Sequence, residues 1–435
     1  MIRKDDKRQI WSWAMYDFAN SAFTTIVVSF IYGTYFTKSI APNEILGTQW
    51  WSWAVSLTAI VVAFLSPFLG ALSDLGTYRR RIMWYSTLGC VIATAILFFP
   101  SEGQVFFALS VFIVANISFE IGTVFCNAYL ADIVSKENFG KTSGFAWGLG
   151  YVGGLIALIL ALFLFVQTNQ PILGLEVANG ENIRATNWLV AIWFFVFSIP
   201  FFSVIKDVQS TMTPTSLVVL FRDSMVRLRT TLSTVGKYGP ISRFLLARLV
   251  YNDALVTIFT FGGIYAATTV GFSFEEIIIL GIVLNLLAGT GAFIFGYLED
   301  RVGSLVVIKW SLVFLTIACV IAILSPELPG LLQLVFGGDA VPQWFTSKFL
   351  FWIAALFIGL FSGPNQSSSR SLMSALTPKE KQNEFFGFYA FSGKATAFVG
   401  PLLFGWATAF FNTQQAGLFV IVALFILGYL LLKKV

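Results

Sequence analysis

Histidine is absent from this chain of 435 residues, cysteine occurs three times, and charged residues make up only 11% of it. Each scarcity excludes something. Without an imidazole, no side chain has an ordinary pKa near neutrality, so proton handling falls to buried carboxylates. Cys90, Cys126 and Cys319 stand far apart in apolar runs. They offer neither a disulfide framework nor a metal motif and read as small packing residues. A soluble domain carries roughly a quarter charged residues, so a soluble chain is excluded too. No Walker loop, nucleotide fingerprint or metal cluster is present, so no cofactor, metal, primary pump or enzyme is expected.

What the chain has in abundance is apolar sequence, 57% by composition. A membrane span needs about 20 predominantly apolar residues. Twelve such runs are legible, at roughly 10–36, 50–73, 82–100, 104–131, 143–166, 187–205, 241–268, 274–298, 305–324, 347–374, 385–410 and 415–432. They are too long and too uniformly apolar for barrel strands, so they are helices. With the N-terminus inside, only Lys38, Arg184 and Lys348 face outward and Arg248, Arg370 and Lys394 fall within spans. All the other cations are cytoplasmic, which places both termini inside. The net charge of +5 is thus a topology signal, and no nucleic-acid partner is expected.

The longest soluble stretch divides the spans six and six. The expected organisation is an N-terminal bundle at 1–205, a linker at 206–240 and a C-terminal bundle at 241–435. Within the linker Leu217, Leu220, Phe221, Met225, Leu228, Leu232 and Val235 recur at helical spacing among arginines, as in an amphipathic helix on the inner leaflet. The external loops near 167–187 and 325–346 are modest and suggest no globular domain. A non-transporting receptor or scaffold would carry one.

Internal repetition supports two related halves. Gly70-Ala-Leu-Ser-Asp74 is followed by Arg79, Arg80 and Arg81; 226 positions after Gly70 stands Gly296-Tyr-Leu-Glu-Asp300-Arg301-Val-Gly303. Tyr16-Asp17 is echoed by Tyr251-Asn-Asp253, and Gly144-Phe145 by Gly387-Phe388. Gly144, Gly148, Gly150, Gly153 and Gly154, with Gly281, Gly289, Gly291 and Gly296, permit close helix approach. Either contacts between halves that rock or static packing would use them. A duplicated membrane bundle is characteristic of transporters.

These residues resemble the major facilitator superfamily. More narrowly, Trp13-Ala-Met-Tyr-Asp-Phe-Ala-Asn-Ser21 is similar to the signature of its vacuole-effluxer-like branch, which joins a fungal vacuolar amino-acid effluxer to bacterial relatives. Phe125-Cys-Asn-Ala-Tyr-Leu130, Ser143 through Gly154, and Gln366 through Phe388 with Gly400-Pro401 are similar to the same branch. The resemblance implies an all-α membrane protein of twelve transmembrane helices in two pseudo-symmetric six-helix bundles, the major facilitator fold. It also implies that the paired turns (Gly70, Asp74, Arg79, Arg80; Gly296, Asp300, Arg301) latch the cytoplasmic side. The first turn departs from the pattern, with Leu75 where a cation usually follows the Asp.

Six ionisable residues fall inside spans well past the span's start: Asp17, Glu120, Arg248, Asp253, Arg370 and Lys394. Each costs roughly 2.5–3.5 kcal/mol near a helix centre. Left unpaired, the six would cost about 15–20 kcal/mol, beyond the ~5–15 kcal/mol net stability of a typical protein. They must meet one another, water or a ligand. The N-terminal half supplies Asp17 and Glu120, a formal −2, and the C-terminal half Arg248, Asp253, Arg370 and Lys394, a formal +2, which suits a zwitterion. The expected solute-binding set is Tyr16, Asp17, Asn20, Glu120, Asn127, Asn252, Asp253, Gln366, Arg370 and Lys394, with Asp17, Glu120 and Asp253 as proton carriers. The chain is therefore expected to be a monomeric transporter of the cell membrane, in contact with lipid and moving small solutes, amino acids above all, by proton-coupled export. A carrier of another anionic or sugar-like solute is the alternative.

Overall fold

The structure, a computed structural model, describes residues 4–74, 79–135, 139–167, 174–206, 222, 226, 239–336, 341–376, 389, 392–393, 396–433 and 435. Every regular element among them is helical. The helices are α1 Lys7–Ala22, α2 Glu44–Asp74, α3 Arg79–Ile96, α4 Val105–Ile133, α5 Phe139–Ala161 and α6 Glu181–Val204. They continue as α7 Gly239–Thr268, α8 Phe274–Val302, α9 Ser304–Leu324, α10 Leu328–Phe336, α11 Ser347–Leu376, α12 Val399–Phe411 and α13 Gln414–Leu432. Ten stretches of described helix are long and apolar enough to cross a membrane. Two expected spans fall outside those ten: α3 opens on three arginines, and α12 has 13 residues. The expected linker helix lies outside the described residues, apart from Arg222 and Val226. The loop near 325–346 holds one unexpected element, the nine-residue apolar helix α10.

The first span changes character midway. α1 is capped by Asp6, whose Oδ1 accepts from the Arg8 and Gln9 amides at 2.8 and 3.3 Å. After Ala22 the backbone widens into π-type turns over Phe23–Phe30, makes a short turn at Tyr32–Tyr35 and widens again over Phe36–Ile40. Thr24, Thr34 and Thr37 donate to carbonyls three or four residues back. Such side-chain bonds compete with the regular ladder and bend helices.

The chain separates into two compact units. The first comprises Met1–Val28 and Leu57–Thr234. Within it α1 packs on α5 and α6, and α3 on α4 and α6. The second comprises Ser29–Ser56 and Val235–Val435. There α7 packs on α13 and α12, α8 and α9 on α11, and α13 on α9 and α12. The short turn at Tyr32–Tyr35 also rests on α7.

Glycine sets the closest approaches inside each unit. A Cβ on Gly153 would lie 2.3 Å from the Phe18 carbonyl oxygen of α1, and Gly150 and Gly154 meet the Ser21 and Thr25 hydroxyls. In the second unit a Cβ on Gly291 would fall 2.0 Å from the Leu360 oxygen and one on Gly363 2.1 Å from the Ala288 oxygen. Pro364, inside α11, has no N–H to give the Leu360 carbonyl, and the Gly291 backbone covers that oxygen. For Gly150, Gly153, Gly154 and Gly291 the structure therefore decides for packing within a unit. Gly148, Gly289 and Gly296 face open space.

Gly153→Leu and Gly291→Leu are each expected to destabilise the detergent-solubilised protein by about 1–3 kcal/mol, because α1 or α11 must move aside. Gly289→Ala, which meets nothing, should stay within about 0.5 kcal/mol. Thermal unfolding followed by circular dichroism checks both.

Candidate functional site

The echo between Tyr16-Asp17 and Tyr251-Asn-Asp253 is three-dimensional. Tyr16 and Tyr251 are both buried, and each places its hydroxyl on a hydroxyl side chain of another helix: Thr87 at 2.9 Å and Ser369 at 2.7 Å. Ser21 donates to the Asp17 carbonyl at 2.7 Å, and Thr257 donates to the Asp253 carbonyl at 2.7 Å. A glycine crosses each pair. A Cβ on Gly150 would lie 2.8 Å from the Ser21 hydroxyl and 3.4 Å from the Asp17 carbonyl oxygen. One on Gly400 would lie 2.2 Å from the Thr257 hydroxyl and 3.0 Å from the Asp253 carbonyl oxygen. Each unit thus holds one aspartate at a glycine crossing, on α1 in the first and on α7 in the second.

The two carboxylates are placed differently. Asp17 is half-buried. Asp253 is 3% exposed, and its Oδ2 accepts from the Gly400 amide at 3.0 Å. Gly400 is the second residue of α12, so its N–H is one of those a helix start leaves without an internal partner. The positive end of the α12 dipole favours the anion there. Its Oδ1, however, has no hydrogen-bond partner, and no cation pairs with it among the described residues. A buried carboxylate with one oxygen unsatisfied is costly when ionised.

The remaining expected residues are distributed as follows. Asn20 is buried, Glu120 half-buried and Asn127 exposed, all in the first unit. Asn252 donates to the Gly393 carbonyl at 3.1 Å, in the chain that leads into α12, whose second residue Asp253 reaches. Arg248 joins them, donating to the Tyr389 carbonyl and, at 2.7 Å, to Ser392, with its guanidinium 3.6 Å above the Tyr389 ring. Gln366 and Arg370 are half-buried on α11. Lys394 lies outside the described residues. Asn365 is fully buried beside Pro364, and neither amide atom has a partner among the described residues. An apolar void of about 20 Å³ between Phe30, Ile258, Leu280 and Phe351 is too small for a solute.

The turns proved richer than their motifs. Gly70 and Asp74 lie in the last turns of α2; the surroundings of Gly70 and the side chains of Asp74 and Asp300 lie outside what is described. Arg79 is buried, ion-paired with Asp132 of α4 and 4.7 Å from the centre of the Tyr129 ring. Arg80 donates to the Phe202 carbonyl of α6. In the second unit the acid that makes contacts is Glu299: its Oε1 accepts from Ser304 at 2.6 Å and its Oε2 from Ser368 of α11 at 2.7 Å. Arg301 is exposed, and Gly303 takes φ +87°, the left-handed region that the tight turn into α9 requires. Sequence reasoning missed Asp132 and Glu299. Glu299 carried a signal, since an acid in the last turn of a helix opposes the dipole and calls for donors.

Asp132→Ala leaves Arg79 buried without its carboxylate and is expected to cost about 1–3 kcal/mol in thermal unfolding. Asp132→Glu should recover most of it.

The model of the family described as vacuole effluxer Atg22 like matches residues 39–141 and 135–435. A Bacillus subtilis protein, described as the uncharacterized MFS-type transporter YxiO, is 26% identical over 428 residues, covering 98% of this chain and 94% of that one. Autophagy-related protein 22 of Saccharomyces cerevisiae is 21% identical over 396 residues, covering 82% and 71%. Among solved structures, a D-xylose–proton symporter superposes with a TM-score of 0.67 over 98% of this chain and 96% of that one, at 13% identity, a likeness of fold alone. The chain therefore belongs to the vacuole effluxer Atg22-like family, and it is a multi-pass membrane transporter of the major facilitator type.

Proposed function

We propose that this transporter exports small amphoteric solutes, amino acids above all, by alternating access coupled to protons. The observation that carries the reading is Asp253, a buried carboxylate with an unsatisfied oxygen and no cationic partner among the described residues. A static structural acid would have both oxygens satisfied. One that exchanges a proton during a cycle must be left a free lone pair. The amide of Asn365 in the same unit, without a partner among the described residues, is a second group with hydrogen bonds to offer a solute. The commitment of Arg248 to Tyr389 and Ser392 weakens the anion-carrier alternative, because one of the cations that suggested it is already engaged.

In this reading Asp17 and Glu120 meet the ammonium, and Arg370 and Lys394 meet the carboxylate. Tyr16, Asn20, Asn127, Asn252 and Gln366 supply polar contacts. The charged turns around Asp74 and Asp300 close the cytoplasmic side. The chain would span the cell membrane twelve times as a monomer with both termini inside, its halves at 1–205 and 241–435 joined by the linker. The family is described as vacuole effluxer Atg22 like, and the xylose protein similar in fold is a proton symporter; both are compatible with solute movement driven by a proton gradient.

Purified protein in liposomes is expected to move labelled amino acids, faster under a pH gradient. Asp253→Asn should abolish the response to the gradient while retaining solute counterflow. Flux indifferent to pH in the parent protein removes proton coupling. Wild-type affinity in both Glu120→Gln and Lys394→Ala would sink the zwitterion site.

A further inference from the structure

Residues 29–56 belong with the second unit although the helices on either side of them run on into the first. The chain changes unit at Val28/Ser29, inside the π-type turns, and again at Ser56/Leu57, in mid-α2. What holds this excursion is a set of contacts on one face of α2, spaced four residues apart. Thr48 accepts from the Gln414 Nε2 of α13 at 2.6 Å. Ser52 lies against Gly405 of α12, so close that a Cβ on that glycine would fall 1.7 Å from the Ser52 hydroxyl. Ser56 donates to the Phe398 carbonyl at the start of α12, at 3.1 Å.

Gln414 is the centre of this set. It is 3% exposed, and its Oε1 accepts from Thr268 and Thr269 at the end of α7, at 2.5 and 2.8 Å. The orientation of the amide is dictated by its partners. Thr48 gives its own proton to the Glu44 carbonyl, so its oxygen is left as an acceptor and requires an N–H facing it. One amide therefore ties α2 to α7 through α13. The contacts are all between small or neutral side chains, with no ion pair among those named, so their breakage strands no buried charge. Hydroxyl–amide bonds of this kind are individually modest, which suits a contact that must open and close.

We propose that Gln414 is a clasp: its hydrogen bond to Thr48 holds the 29–56 segment on α12 and α13, and its release frees that segment to open the external side during the transport cycle. The external placement follows from the cation distribution, and the role in a cycle rests on the transport reading above. The widened turns at Phe23–Phe30 and the crossing at Ser56/Leu57 are where the chain would bend.

The test needs no substrate. Ser52→Cys, fully buried under Gly405, reports release through its rate of reaction with a polar maleimide in the detergent-solubilised full chain. Thr48→Val removes the acceptor for the Gln414 Nε2 and leaves the bonds of Gln414 to Thr268 and Thr269, and should raise that rate about fivefold, the population change expected for one net hydrogen bond. Gly405→Leu should raise it further. Cys319, buried in α9 of the same unit, should stay slow in both. An unchanged Ser52→Cys rate in Thr48→Val overturns the clasp, as does an equal rise at Cys319, which would mean general loosening. Amino-acid flux with unchanged labelling sinks the clasp alone; raised labelling without flux for any amino acid sinks the transport reading alone.

Discussion

Two helix backbones can touch only where glycine removes the Cβ, and the interior of each unit depends on that constraint. Gly153 on the Phe18 carbonyl and Gly291 on the Leu360 carbonyl are contacts that any larger residue would prevent. In lipid no hydrophobic gain drives helices together, so close packing and interhelical hydrogen bonds must do so. The glycine crossings also decide where polar groups come to rest. Gly400 lets α12 approach α7 until its amide reaches Asp253, and Gly405 lets α2 settle with Ser52 and Thr48 in reach of α12 and α13.

The two aspartates show how a duplicated scaffold diverges. The carbonyl–hydroxyl–glycine arrangement around Asp17 and Asp253 is the same, and it belongs to the backbone of the repeat. Their exposures differ, with Asp17 half-buried and Asp253 at 3%. The two positions share a local backbone arrangement, and the surrounding side chains give them unequal environments.

The turns illustrate a different lesson. The motif residues Gly70, Asp74, Asp300 and Arg301 were conspicuous in the sequence, yet the described contacts are made by neighbours: Asp132 with Arg79, and Glu299 with Ser304 and Ser368. Asp132 could not have been singled out, because an acid at the cytoplasmic end of a span is ordinary and its partner lies 53 positions away. Glu299 could have been, from its unfavourable place in the last turn of α8. Asn127 shows the converse: an amide in a conspicuous motif that is exposed.

What the sequence determined by itself was everything that depends on local composition. Apolar runs of span length specify helices, because lipid offers backbone groups no other partner. The repeated Tyr–Asp and Gly-x-x-x-Asp elements are likewise local patterns, legible without any coordinate. The tertiary structure decided which glycine meets which carbonyl, which oxygen of Asp253 goes unsatisfied, and that residues 29–56 side with the second unit. Those outcomes turn on where helices cross. A crossing joins residues such as Asp253 and Gly400 or Thr48 and Gln414, separated by 147 and 366 positions, and no periodicity within a single helix encodes it.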